Sequence, residues 1–186
     1  MRVVISGTHG SGKSTLIGDF TAAHPDWQVL PDAYEFVDAA DAEPGAVLFA
    51  QQLGIAASRL REPASGPVIA ERGPLDFLAY LHATQSLGRS VVDPELLARG
   101  YEITSDAMHQ VDLLVLLPLN PVDAIALGAD EDLELRDAMD MSLLELADDP
   151  DLTGRADVKE IVGDRGRRLA SLEQAVRRLR DESAGF

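Results

Sequence analysis

The sequence predicts an α/β protein, a three-layer sandwich in which helices cover both faces of a five-stranded parallel sheet. Three observations predict it. Five short apolar runs alternate with helical patterns along the 186 residues, and no internal repeat or low-complexity tract interrupts them. Such alternation implies parallel pairing through right-handed crossovers. The run "VDLLVLLPL" is continuously apolar, as a strand buried on both faces must be. Third, "GTHGSGKST", residues 7–15, stands directly behind the first run, so that a strand hands over to a helix through a glycine-rich turn.

Taken in order, Val3 to Ser6 is strand one, and the helix opening at Lys13 extends to about Ala23, where "HPD" stops it. Trp27 to Leu30 is a second short strand, ended by Pro31. After an acidic loop, "PGAVLFAQQLGIAASRLRE" is a helix with Pro44 near its first position, where a missing N–H costs nothing. "GPVIAERG" is strand three. The turn Gly73-Pro74 then starts a helix that Leu75, Phe77, Leu78, Ala79 and Leu81 make apolar on most sides, so it should be buried. "DPELLARGYEITSDAMHQ" is the next helix and "VDLLVLLPL" the fourth strand. From Glu131 to Ala147 the residues Leu135, Ala138, Met139, Leu143 and Leu146 fall at helical spacing, and "ADVKEIV" is a weaker fifth strand. The final helix carries Leu169, Leu172, Val176 and Leu179 on one stripe. Its arginines, Arg167, Arg168, Arg177, Arg178 and Arg180, lie largely away from that stripe and read as a solvated face.

Composition narrows the function classes. Hydrophobic residues at 46% and charged residues at 26% are the balance of a soluble globular protein, and 186 residues suit one domain with a full core better than two. No apolar run reaches about 18 residues, so no membrane span is expected. "MRVVISG" is too short to be the apolar part of a secretory signal and reads as strand. Without cysteine there is no disulfide framework and no thiolate chemistry, which makes the cytoplasm the default location. Sixteen Lys plus Arg against thirty-two Asp plus Glu leave a net charge of −16, an argument against nucleic acid or an anionic membrane as main partner. The partner expected is a small-molecule acceptor. The oligomeric state stays open, a homodimer included.

The spacing Gly7-x-x-x-x-Gly12-Lys13-Ser14 is that of a P-loop. In that pattern the stretch Gly7, Thr8, His9, Gly10, Ser11, Gly12, Lys13, Ser14 and Thr15 wraps a polyphosphate. Small residues let the backbone approach, and the N–H groups opening the helix face the anion. Lys13 supplies charge to the β- and γ-phosphates of ATP, and the Ser14 hydroxyl is placed to ligate Mg²⁺. His9 is either a loop side chain with no chemical duty or a substrate contact.

Ligands of parallel sheets bind beyond the carboxyl ends of the strands. "VLPDAYEF" puts Asp32 just past strand two, with Glu35 one turn on. A carboxylate there is suited to orient and deprotonate an acceptor hydroxyl; the alternative is that Asp32 caps the short helix beginning near Ala33. Strand three ends in "VIAERGPLDFLAY". Glu71 is placed to hold Mg²⁺ through water and Arg72 to reach the acceptor or the transferring phosphoryl group, the alternative being an ion pair at a strand end.

With "GTHGSGKST", an acidic residue after strand two and "ERGPLD" after strand three, the chain resembles the P-loop nucleoside and nucleotide kinases. Within that group it is most similar to small AAA-type ATP-binding proteins related to ribosylnicotinamide kinase and thymidylate kinase. The resemblance implies a P-loop NTPase sandwich of nucleotide-kinase type, ATP and Mg²⁺ as donor, and transfer of the γ-phosphoryl group to an alcohol of a nucleoside or nucleoside-like acceptor. It implies that Glu71 and Arg72 lie at the acceptor site and that Asp32 contacts the acceptor hydroxyl. It also implies a short lid, about 120–137, carrying arginines over the phosphates. Here that segment offers Arg136 alone, four residues from both Asp132 and Asp140, so either a lid arginine or a surface ion pair is expected. Arg155 in "LTGR" is a second lid candidate. If the acidic loops "DAADAE" and "ADEDLE" face the cleft, they favour an acceptor with amine or other cationic groups, such as an amino-modified natural product. The other readings are a regulatory ATPase or GTPase switch without a small acceptor, and a loop that holds nucleotide for structure only. A guanine-reading "NKxD" signature is absent from the sequence.

Overall fold

The computed structural model describes residues 1–36, 45–120 and 132–185. Five strands, β1 (Arg2–Ser6), β2 (Gln28–Leu30), β3 (Val68–Glu71), β4 (Leu113–Leu116) and β5 (Asp157–Glu160), form one sheet in the order β2-β3-β1-β4-β5. All four pairings are parallel. Among the described residues seven helices accompany them: α1 (Lys13–Ala23), α2 (Ala46–Arg61), α3 (Pro74–Ser86), α4 (Pro94–Met108), α5 (Leu133–Ala147), α6 (Pro150–Thr153) and α7 (Arg165–Ala184). The expected elements are present with ends moved by a few residues, and the single turn of α6 is additional. Pro44 and "DAADAE" lie outside the described residues.

Side-chain alternation along β1 builds the two cores. Val3 and Ile5 point to one face, where they meet Leu16, Ile17 and Phe20 of α1 and Leu172 and Val176 of α7. Val4 points to the other, into a cluster with Leu53 and Leu60 of α2, Leu75 and Leu78 of α3 and Leu143 of α5. The partition follows from the two-residue period of a strand. Helix α3 is buried nearly all round, as its composition requires. Phe20 is fully buried, edge-on to Trp27 with ring centroids 5.0 Å apart. Phe20→Ala is expected to cost about 3–5 kcal/mol in denaturant unfolding, through lost transfer energy and the cavity left behind.

Topology positions the site. The chain goes to one side of β1 for β2 and β3 and then crosses to the other side for β4 and β5, so β1 sits where the strand order reverses. A crevice opens at such a reversal, beyond the carboxyl ends. In register, Glu71 lies beside Ile5 and Leu116 beside Ser6, which brings the end of β3 alongside the loop after β1.

Candidate active site

The loop from Gly7 to Gly12 joins β1 to α1. A Cβ at Gly7 would stand 2.6 Å from Ser11 Oγ and 2.9 Å from the Leu117 carbonyl oxygen, so no other residue fits there without moving the loop. Gly12, which starts α1, has φ +93°, in the left-handed region open to glycine. Lys13 is 4% exposed and its Nζ donates to the Thr8 carbonyl oxygen at 2.8 Å. Burial lowers its pKa from 10.5 to about 7; Arg72 pushes the same way, against Asp76, Glu71 and Asp32. Ser14 Oγ donates to Glu71 Oε1 at 2.7 Å, so the two expected metal ligands stand together. His9 is exposed, as is Thr15 in the first turn of α1.

On the acceptor side Arg72 Nη1 donates to Asp32 Oδ2 at 2.8 Å, with the side chains 10% and 16% exposed. Asp32 Oδ1 accepts from the Tyr34 N–H at 3.1 Å. Of the two roles expected of Asp32 in alternative, the cap of the short 3-10 turn Ala33–Phe36 is present, and the other oxygen of the same carboxylate accepts from Arg72. Glu35, in that turn, is exposed. Arg72 has φ +61°, the one non-glycine residue with positive φ among those described. Such backbone strain persists only where the surrounding contacts over-determine it, here the bond to Asp32 and the packing on Tyr80. Its guanidinium lies 5.6 Å from the centre of the Tyr80 ring, which is stacked on Phe49. Burial opposes the Arg72 charge, but Tyr80, Asp32, Asp76 and Glu71 outweigh it and hold its pKa above the ordinary arginine value.

Two residues gain or change meaning in three dimensions. Asp76, fully buried at the start of α3, accepts from Ser6 Oγ at 2.6 Å, from the Gly7 N–H at 2.9 Å and from the Gly73 N–H at 2.9 Å. It fastens the phosphate loop to the turn after β3. Burial raises its pKa, against Arg72 and those three donors. The Asp that closes "GPLD", three residues after Gly73, was the available signal, a helix-start pattern with a second use. Arg168, assigned to a solvated face, is instead 8% exposed and donates to the Ser11 carbonyl oxygen at 2.6 Å and the Gly163 carbonyl oxygen at 2.7 Å. It sits in the first turn of α7, where the helix meets the loop, so helical spacing alone misplaces it.

Arg136 Nε donates to the His9 carbonyl oxygen at 2.9 Å, which sets this side chain against the phosphate loop. Asp132, its expected surface partner, is engaged by Arg89, which also reaches Glu134 at 2.7 Å, and Asp140 accepts from the Leu119 N–H. Arg155 is corrected: its Nη2 donates to Asp112 Oδ1 at 3.2 Å, at the amino end of β4. That is the amino-terminal end of the strands, opposite the loop. Residues 121–131, most of the lid-like segment and half of "ADEDLE", lie outside the described residues.

The residues present suit a polyphosphate and its metal. The glycine cradle leaves no room for a Cβ, and Thr8 Oγ1 and Ser11 Oγ are buried hydroxyls without a partner. Ser14 and Glu71 form an all-oxygen pair of the kind that binds Mg²⁺.

A glycine turn between the central strand of a parallel sheet and a helix, with a buried lysine at the helix start, defines a P-loop α/β protein. The chain belongs to the AAA domain family, whose model matches residues 2–151. No curated protein matches it in sequence. Among solved structures it is similar to deoxyadenosine kinase from M. mycoides at 12% identity and a TM-score of 0.68, over 95% of this chain and 99% of that one. Thymidylate kinase from Candida albicans is similar at 15% identity and a TM-score of 0.62, over 95% and 90%. Thymidylate kinase from Ehrlichia chaffeensis follows at 11% identity and 0.61, over 95% and 98%. These likenesses give the fold, a P-loop sandwich of the nucleoside and nucleotide kinase type. No helix among the described residues is long and apolar enough to cross a membrane.

Proposed function

We propose that this protein is an ATP-dependent kinase that transfers the γ-phosphoryl group to a hydroxyl of a small acceptor, a nucleoside or nucleoside-like compound. The observation that carries the reading is the Asp32–Arg72 pair, held within electrostatic reach of Lys13 on the same rim. A P-loop that only hydrolyses or switches has no need of a nearly buried acid and arginine paired on that rim. The fold shared with nucleoside and nucleotide kinases supports the same reading.

The loop amides and Lys13 bind the phosphates of ATP. Mg²⁺ would be held by Ser14 and Glu71 and would neutralise charge on the β- and γ-phosphates. Arg72 positions the acceptor, and Asp32 accepts the proton of its hydroxyl as that oxygen bonds to the γ-phosphorus and the bond to the β–γ bridging oxygen breaks, releasing ADP. Glu35 lines the mouth of the acceptor side, and Arg136, anchored on the loop, steadies charge over the phosphates. Acidic loops facing the cleft would favour an acceptor with cationic groups, which is why amino-modified and cationic nucleosides belong in the substrate panel.

The test is ADP release from ATP-Mg²⁺, alone and with that panel. Release that requires one acceptor, with a product about 80 mass units heavier, establishes the kinase. Slow release indifferent to every acceptor would overturn it in favour of an ATPase or switch. Asp32→Asn is expected to keep ATP affinity and lower turnover by about 10²–10⁴-fold, the usual worth of a positioned base; unchanged turnover removes Asp32 from the chemistry.

A further inference from the structure

Three cations hold three carbonyls of the phosphate loop. Lys13 Nζ takes the carbonyl oxygen of Thr8, Arg136 Nε that of His9 and Arg168 Nη1 that of Ser11. All peptides among the described residues are trans. In a planar trans peptide the C=O of one residue and the N–H of the next point in opposite directions. Of the three, only Arg168 comes from α7, away from the phosphates, so the carbonyl it draws leaves the following N–H, that of Gly12, facing the anion. Gly12 directly precedes Lys13 and α1, so its amide belongs to the group on which polyphosphate binding depends.

We infer that Arg168 is a positioning residue for polyphosphate binding: by holding the Ser11 carbonyl it aims the Gly12 N–H at the bound anion. Several features single it out from the other two. Lys13 touches phosphate itself, and Arg136 lies where a lid arginine is expected, whereas Arg168 approaches the loop from the side of α7, which packs on α1. Its contact spans 157 residues of sequence and lies beyond the residues matched by the family model. Its Nε is anchored on the Gly163 carbonyl, in the turn after β5, and the backbone there is built for the approach. Gly163 has φ +109°, and a Cβ on it would press on Arg167 at 3.3 Å. One planar guanidinium thus ties the loop after β1 to the loop after β5 through two diverging donors held at a fixed angle, a geometry that lysine does not reproduce.

The inference rests on the loop's being a polyphosphate site, and its test separates the two. Titration of the full-length protein with ATP-Mg²⁺ and with inorganic tripolyphosphate gives both affinities, and the ¹H–¹⁵N signals of Gly7 and Gly12 report the loop. Wild type is expected to bind both probes with both amides shifting; failure to bind either would overturn the polyphosphate reading itself. In Arg168→Met both affinities are expected to fall roughly 10- to 100-fold, the worth of a charged hydrogen bond read through one amide. The Gly12 response is lost, and that of Gly7, held by Asp76, is retained. Arg168→Lys, which keeps the charge and should fold wherever the methionine variant does not, is expected to lose about 3- to 10-fold, because one ammonium serves one carbonyl well. Wild-type affinity in either variant, or loss of the Gly7 and Gly12 responses together, overturns the assignment.

Discussion

Lys13→Met is expected to yield a protein that unfolds at higher denaturant concentration than wild type and no longer binds ATP. The two effects have one cause. Lys13 is 4% exposed, and without phosphate its nearest oxygen is the Thr8 carbonyl. Burial brings its pKa from 10.5 down to about 7, with Arg72 adding to the fall. At about 1.4 kcal/mol per pH unit, that displacement means the folded state carries a penalty of roughly 3–5 kcal/mol near neutral pH. Methionine has a similar length and no charge to desolvate. It forfeits the bond to Thr8, worth about 1 kcal/mol, so a net gain of roughly 2–4 kcal/mol remains. The sign with pH follows from a lysine whose folded pKa lies below its unfolded one. The penalty is complete below pH 7, shrinks as pH rises from about 7 towards 10.5, and vanishes above. The stability difference between variant and wild type should therefore be largest at pH 6–7 and close by about pH 10.5. Urea unfolding across that range measures it, and calorimetry with ATP-Mg²⁺ measures the lost binding. A destabilised Lys13→Met would mean that the lysine is not under strain in the free protein. Stability surrendered at a binding site in this way is common where a charge must wait, dry, for its ligand.

How much of this site could be read from the chain depends on how local each part is. The phosphate loop is nine contiguous residues behind an apolar run, and its glycines and lysine announce themselves because steric room and charge are properties of the residues themselves. Strands β1 and β4 are similarly legible, since burial on both faces leaves Val3, Val4 and Ile5 of β1 and the whole of β4 apolar. Asp32 and Arg72 fall where a parallel sheet collects its functional groups, but their pairing is a contact across 40 residues that the sequence does not state. The role of Asp76 was hidden by a second, sufficient explanation, that of a helix-start residue. Arg168 was misjudged for a different reason: helical spacing sorts residues by direction around the axis and takes no account of a helix end abutting another loop. The strand order, which sets β1 at the reversal, is likewise a property of the assembled sheet.

Asp76→Ala should be the most damaging substitution of a residue that touches no substrate. Its carboxylate has no exposed surface and satisfies three donors, the Ser6 hydroxyl and the N–H groups of Gly7 and Gly73, each within 2.9 Å. It also lies in the field of Arg72 and Lys13, whose charges it helps to balance. Alanine leaves three buried donors unpaired and two buried cations short of a counter-charge. Breaking a buried, hydrogen-bonded ion cluster from one side typically costs about 3–5 kcal/mol. Burial itself disfavours the Asp76 charge, which returns part of that cost when the charge is removed, so the lower end of the range is expected. Asp76→Asn separates geometry from charge. Its oxygen can still accept from two donors while its NH₂ confronts the third, so it should recover part of the stability and little of the function. Both variants should bind ATP more weakly than wild type, because the Gly7 N–H and the turn carrying Arg72 are fixed through the same carboxylate. Urea unfolding and ATP titration of the two variants provide the measurement. If Asp76→Ala lost stability yet kept wild-type affinity for ATP, the loop would be holding its shape without the brace from α3, and the coupling between the phosphate side and the acceptor side would have to run through Glu71 and Ser14 alone.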